Sequence, residues 1–297
     1  MSIASEITRI QTNISNAYTA CNNKGATMPV TQNSANLATC IGSITGGGSS
    51  VGIPREVSST GVFQMPASSF TFSLPSNATD IGNYGLYYAF YGCQGLTSVD
   101  LSSLTTISGS NAMTSAFVSG YNLTSVDLSN LITISGYSGM EQAFLNCLGL
   151  ASVNLSNLTT ISVARALYFA FQNCKLASLN LSNLTTISGS NAMAAAFTRC
   201  TSLASVDLSS LTTINSSGAM ASAFQMCTSL TSLSFPSLTT NSFGSYTNQF
   251  SGMLSGCSNV AVHFPSNLQS AIGNWADVTA GFSGTNTTVL FDLPATT

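Results

Sequence analysis

The side chains that could do chemistry in this sequence fall into columns rather than clusters. Six cysteines, Cys93, Cys147, Cys174, Cys200, Cys227 and Cys257, recur in steps of roughly 27 residues or twice that, and Gly120 stands once in the same column. No two cysteines lie two to four residues apart, so the spacing of a zinc site is missing. Stacked repeats would bring neighbouring cysteines within disulfide range, but equivalent side chains point the same way rather than at each other. The column reads as reduced, buried thiols acting as small core residues.

A second column, Asp100, Asp127, Asn154, Asn180, Asp207, Ser234 and His263, sits at the outward position of a recurring apolar-polar alternation. Adjacent carboxylates repel at strand spacing, so Asp100 and Asp127 could recruit a cation such as Ca²⁺. The competing reading is a hydrated polar ladder in which the asparagines relieve the repulsion. The same two aspartates are the only regular candidates for the paired carboxylates of a glycosidase. His263 is the only histidine, and no recurring nucleophile stands beside it to build a Ser–His or Cys–His relay. The run Gly46–Gly48 opens no helix after a strand, so it is not a phosphate loop. These residues predict a non-enzymatic protein without catalytic residues, metal site or cofactor.

The columns imply a repeated element that positions them. Leu86, Met113, Met140, Leu167, Met193, Met220 and Phe250 head the units. Three and four residues later come pairs such as Ala89-Phe90, Ala116-Phe117 and Ala196-Phe197, and seven later comes the cysteine column. Apolar residues at i, i+3, i+4 and i+7 predict one short helix per unit. Each is followed by an alternating stretch, for instance LTSVDL at 96–101 and 123–128, which predicts a strand with Val99 and Leu101 inward and Ser98 and Asp100 outward. A further inward pair, Leu104 and Ile107, recurs through Leu211 and Ile214. One such unit cannot bury its apolar face alone; neighbours must cover it. The expected fold is an α/β leucine-rich-repeat solenoid of 27-residue coils, each with one parallel strand and one short helix. The expected repeats cover 86–264, with capping coils at 52–85 and 265–297.

Residues 1–45 read as a separate helical attachment or oligomerisation segment, joined by a Gly/Ser linker at 46–51. Ile3, Ile7, Ile10 and Ile14 follow the alternating three- and four-residue spacing of a short coiled coil, and isoleucine at both seam positions favours a homotrimer over a dimer. A monomeric helical hairpin is the other reading of the same stretch.

Composition narrows the partners. Lys, Arg, Asp and Glu make up 5% of the chain, with net charge −3 and no basic cluster, which argues against a nucleic-acid partner or an anionic membrane surface. No apolar run approaches the roughly 18–20 residues of a spanning helix. The start, MSIASEITRIQTNISNAY, lacks the basic n-region and apolar core of a secretory signal. The expectation from this is a protein made in the cytoplasm, or part of an assembly that leaves by cell lysis.

The unit Ala196-Phe197, Cys200, Leu203 and Val206-Asp207-Leu208-Ser209 resembles the BspA-like leucine-rich repeat, across roughly residues 86–264. That resemblance implies a surface protein of the kind found in host-associated bacteria and gut protists, an adhesin binding host protein or glycan or an uncharacterised surface protein, rather than an enzyme. Residues 4–41 are similar to N-terminal segments of phage tail and fibre-type proteins. That second resemblance implies a virion component, a tail-fibre or receptor-binding protein held through residues 1–45 and touching a bacterial surface. The expectation from both together is a binding protein, placed in the virion or, alternatively, on the bacterial cell surface. Comparison of the repeats with one another leaves two readings of the outer positions, specificity on the predicted helical side and its edge or incidental surface variation. There Tyr87, Tyr88, Tyr91, Tyr121, Glu141, Tyr168, Phe169, Lys175, Arg199 and Tyr246 break an otherwise monotonous pattern, and exposed aromatics favour recognition.

Overall fold

The computed structural model describes residues 56–57, 63–64, 69–74, 76–239, 242–243, 248–271, 281–282 and 284–296. The chain divides into two units, Met1–Ala67 and Ser68–Thr297. In the first, β1 (Glu56–Val57) pairs antiparallel with β2 (Phe63–Gln64). The expected helices of residues 1–45, with Ile3, Ile7, Ile10 and Ile14, lie outside the described residues.

The second unit is a parallel β-solenoid with coils of about 27 residues. Each complete coil carries two strands. The longer ones are β3 (Phe70–Ser73), β4 (Leu96–Asp100), β6 (Ser125–Asp127), β8 (Ser152–Asn154), β10 (Ser178–Asn180), β12 (Ser205–Asp207), β14 (Ser232–Ser234), β15 (Ala261–Pro265) and β16 (Thr288–Leu293). They stack in parallel, in the order β3-β4-β6-β8, β10-β12 and β14-β15-β16. Register joins equivalent residues: Val99 to Val126 to Val153, and Leu179 to Val206. The shorter strands, β5 (Thr106–Ile107), β7 (Thr133–Ile134), β9 (Thr160–Ile161), β11 (Thr186–Ile187) and β13 (Thr213–Ile214), form one five-stranded parallel ladder. Leu104 and Ile107, both fully buried, flank this second corner.

The expected helix in each coil is not formed; the one α-helix among the described residues is α1 (Leu268–Ala271). In its place runs a ribbon of overlapping four-residue turns. In the first coil Gly85 N donates to Gly82 O, Tyr87 N to Tyr84 O, Ala89 N to Leu86 O, and Cys93 N to Phe90 O. The intervening amides cross to the next coil: Leu86 N to Ala112 O at 2.7 Å, Tyr88 N to Thr114 O at 3.1 Å, and Phe90 N to Ala116 O at 2.7 Å. An α-helix would bond every amide to the carbonyl four residues back. The ribbon alternates instead, one peptide closing a turn and the next joining coils.

Closing turns at this rate forces every fourth residue to positive φ. Tyr84 and Tyr88 (57° and 54°), Asn111, Ser115 and Ser119, and Asn191, Ala195 and Arg199 all adopt it. Asn, Ser and Gly hold most of these positions, and asparagine and glycine tolerate the left-handed region best. The four-residue period places apolar side chains at i, i+3, i+4 and i+7, which is why the pattern imitates a helix.

The core is a set of ladders along the solenoid axis. Phe90, Phe117, Phe144, Phe171, Phe197 and Phe224 are fully buried. Their rings stack at centroid separations of 5.0 to 5.8 Å, with interplanar angles of 13° or less. At the C-terminal end the column changes hands: Phe250 packs tilted on Phe235 and Phe282.

Candidate recognition surface

The residues first suspected of chemistry are held in structural roles. Each cysteine of the column is buried, with its sulfur unbridged. The Cys147 thiol donates to Phe117 O at 3.1 Å, Cys174 to Phe144 O at 3.3 Å, Cys200 to Phe171 O at 3.1 Å and Cys227 to Phe197 O at 3.2 Å. One phenylalanine carbonyl thus accepts the amide of its own coil and the thiol of the next. Burial pushes the Cys147 and Cys200 thiols up to about 12, and Cys174 well above its ordinary value. A thiol so far from ionising is a poor nucleophile and a poor metal ligand.

The aspartate and asparagine column closes turns. Oδ1 of Asp100, Asp127, Asn154, Asn180 and Asp207 each accepts the amide two residues on, at 2.9 to 3.1 Å. This is the Asx turn that ends each strand. The Ser102 hydroxyl and amide together hold the Asp100 carboxyl below the usual carboxylate range. No group of three or more metal-ligating side chains occurs among the described residues. His263 Nδ1 meets both Asp292 carboxylate oxygens at 2.9 Å, an exposed pair on adjacent strands. Among the described residues no hydroxyl bonds the other imidazole nitrogen. The strand face also carries an open concavity of about 350 Å³, lined by Ser178, Asn180, Ser205 and Asp207 beside Leu179 and Val206.

The outer side of the turn ribbon is different. Tyr84, Tyr87, Tyr88 and Tyr91 stand 59%, 38%, 46% and 52% exposed on the first coil. Their rings form a continuous row: Tyr84 meets Tyr87 edge-on at 5.4 Å, Tyr87 meets Tyr88 at 4.6 Å, and Tyr88 stacks on Tyr91 at 5.4 Å. Tyr121 and Tyr137 are exposed on the following coils. Farther along, Tyr168 meets Phe169 edge-on at 4.3 Å, both half-buried. The Arg165 guanidinium lies 4.5 Å from the Tyr168 ring centre and donates to the half-buried Glu141. Lys175 and Arg199 are exposed separately. The expected residue Tyr246 lies outside the described residues.

Sequence reasoning passed over Tyr84, Tyr137 and Arg165. Tyr84 was legible, since 84, 87, 88 and 91 repeat on the outer side the spacing that marks the inner one. Tyr137 and Arg165 gave no such signal: each is the only residue of its type in its column.

The solved structures the protein resembles include a leucine-rich repeat protein from Bacteroides ovatus, at 20% identity over 68% of this chain and 50% of that one, with TM-score 0.39. This chain therefore spans half the length of that protein. Another is a leucine rich cell surface protein from Faecalibacterium prausnitzii, at 16% identity over 75% of this chain and 79% of that one, with TM-score 0.20. No curated protein matches the sequence significantly. The profile of the BspA type leucine rich repeat region matches in six copies, over residues 59–189, 113–255 and 220–276. With well over half of its residues inside that match, the chain belongs to the BspA-type leucine-rich-repeat family.

Proposed function

We propose that this protein is a non-enzymatic, adhesin-type binding protein that meets a cell-surface protein or glycan through the outer side of its turn ribbon. The observation that carries the reading is the row Tyr84, Tyr87, Tyr88 and Tyr91. It is exposed, yet set on a backbone cross-bonded to the next coil. Large aromatics already immobilised lose little entropy on contact, which is what a recognition surface needs. Leucine-rich-repeat solenoids are typically binding proteins, and the buried thiols and turn-closing aspartates support the same reading.

The virion and tail-fibre expectation finds no support in the family match or in the solved structures. The cell-surface alternative agrees better with the family. A homotrimer through Ile3, Ile7, Ile10 and Ile14, and a tail partner for residues 1–45, stay proposals of the sequence.

The test is adhesion of the labelled chain to bacterial and epithelial cells, beside a variant with Tyr88, Tyr121 and Tyr168 replaced by serine. Loss of adhesion in the variant supports the reading, and unchanged adhesion sinks it.

A further inference from the structure

We infer that the tyrosine row of the first coil, with the amide oxygens of Gln94 and Asn122, is a stacking platform for a neutral glycan. The inference rests on the binding role proposed above and narrows its ligand to one class.

Three observations converge. The first is the ring row itself, four tyrosines in mutual contact and all at least 38% exposed. The C–H face of a pyranose is weakly positive and stacks on the negative face of an aromatic ring. Tyrosine adds a hydroxyl that can donate to or accept from the sugar.

The second is a pair of amide groups tied to the backbone where the ribbon ends, Gln94 three residues after Tyr91 and Asn122 one residue after Tyr121. Gln94 Nε2 donates to Ser119 O at 2.9 Å and Gly92 O at 3.3 Å, and Asn122 Nδ2 donates to Gln94 O at 2.9 Å. Both side chains are exposed. With their nitrogens committed to the backbone, Gln94 Oε1 and Asn122 Oδ1 accept from no described donor. Two fixed acceptors suit a ligand rich in hydroxyl donors.

The third is charge. From Ile81 to Val126 the single ionisable carboxylate or cation is Asp100, and it is engaged in its Asx turn on the strand face. Among the described residues of this stretch, an acidic glycan would find no cation to pair with. A protein partner usually meets arginine among its hot spots, and this stretch has none. A neutral polyhydroxylated ligand is the one that loses nothing by the absence of charge.

The test is affinity electrophoresis of the full chain through gels containing mannan, galactomannan or mixed-linkage β-glucan, and separately hyaluronan. The critical variant is Tyr84→Asn with Tyr88→Ser and Tyr91→Gln. It gives the first coil the residues its sister coils carry at the same backbone positions, namely Asn111, Ser115 and Gln172. At least one neutral polysaccharide should retard the parent chain, without dependence on salt. The variant should bind about tenfold more weakly or worse, the equivalent of one good contact. Gln94→Leu should weaken binding too while leaving the fold intact by circular dichroism. Retardation by hyaluronan alone, by none of the gels, or equally in parent and variant overturns the inference. Adhesion to cells before and after periodate oxidation of their glycans separates the two proposals. Adhesion that survives periodate but needs the tyrosines rejects the glycan and keeps the adhesin. Adhesion that is absent altogether rejects the adhesin reading.

Discussion

The ribbon of the first coil and that of the fifth share one backbone and differ in everything they show to solvent. Tyr84 and Tyr88 correspond to Asn191 and Ala195, all at positive φ, and the same alternate amides cross to the next coil. Their inner residues match: Phe90 and Phe197 are both fully buried in one ring ladder, with Cys93 and Cys200 behind them. Outside, the first coil raises four tyrosines, whereas the fifth has Ala194, Ala195 and Thr198, each no more than 5% exposed. The difference teaches that the inner columns hold the fold, and that the outer columns can vary without disturbing the backbone they ride on.

The inner columns should therefore break the molecule. Phe144→Ala removes the middle of the ring ladder, stacked 5.0 Å from Phe117 and 5.3 Å from Phe171. A buried Phe→Ala change costs about 3–5 kcal/mol, read as a fall in the urea midpoint followed by circular dichroism. A loss below about 1 kcal/mol would mean that neighbouring coils collapse into the gap, and that the ladder is less demanding than its geometry implies.

Alkaline pH should act on the same side. The Cys147 and Cys200 thiols are raised from 9.0 to about 12 by burial, so they stay protonated in the fold while the unfolded chain ionises. Their contribution to stability is complete below pH 9 and is lost as pH rises from there toward 12. Each thiol contributes a slope of about 1.4 kcal/mol per pH unit in that window. Denaturation midpoints measured from pH 8 to 11 should fall, and Cys147→Ala should flatten the decline.

Those inner columns were also what the sequence made legible. The coil length, the buried Phe and Cys positions and the outward Asp and Asn positions all followed from period and alternation. What period alone could not distinguish was helix from turn ribbon, because both put Leu86, Ala89, Phe90 and Cys93 on one side. The distinguishing signal lay in the outer residues. Asn111, Ser115, Ser119, Asn191 and Gly218 recur where a helix would carry Glu, Lys or Arg, and Asn, Ser and Gly favour turns and left-handed backbone. The tyrosine surface was only partly legible, since exposure depends on the neighbouring coil: small residues there are covered and large ones stand clear.

Gly120 offers a gain of function for the inner side. It interrupts the cysteine column, and Phe90 O accepts the Cys93 amide with no thiol from the second coil. An added Cβ there meets the Cys147 sulfur at 3.6 Å, an ordinary contact, and Phe117 O at 3.2 Å, a tight one that a shift of a few tenths of an ångström must relieve for the gain to appear. Gly120→Cys should supply the missing thiol bond and reduce the freedom of the unfolded chain, together about 1 kcal/mol of added stability. A destabilised variant would show that the gap is needed by the second coil's packing.

The smallest effect on stability should come from the most conspicuous residues. Tyr84→Asn, Tyr88→Ser and Tyr91→Gln remove exposed rings, so ring-to-ring contact and partial burial are lost. Against that, Asn at 84 tolerates the left-handed backbone better than tyrosine, and the two effects oppose each other. Each change should shift the unfolding free energy by no more than about 0.5 kcal/mol, while the same three changes made together weaken ligand binding by about tenfold or more. A large loss of stability would mean that the tyrosines brace the first coil, and the division between an inner side that folds and an outer side that binds would fail where it is drawn most sharply.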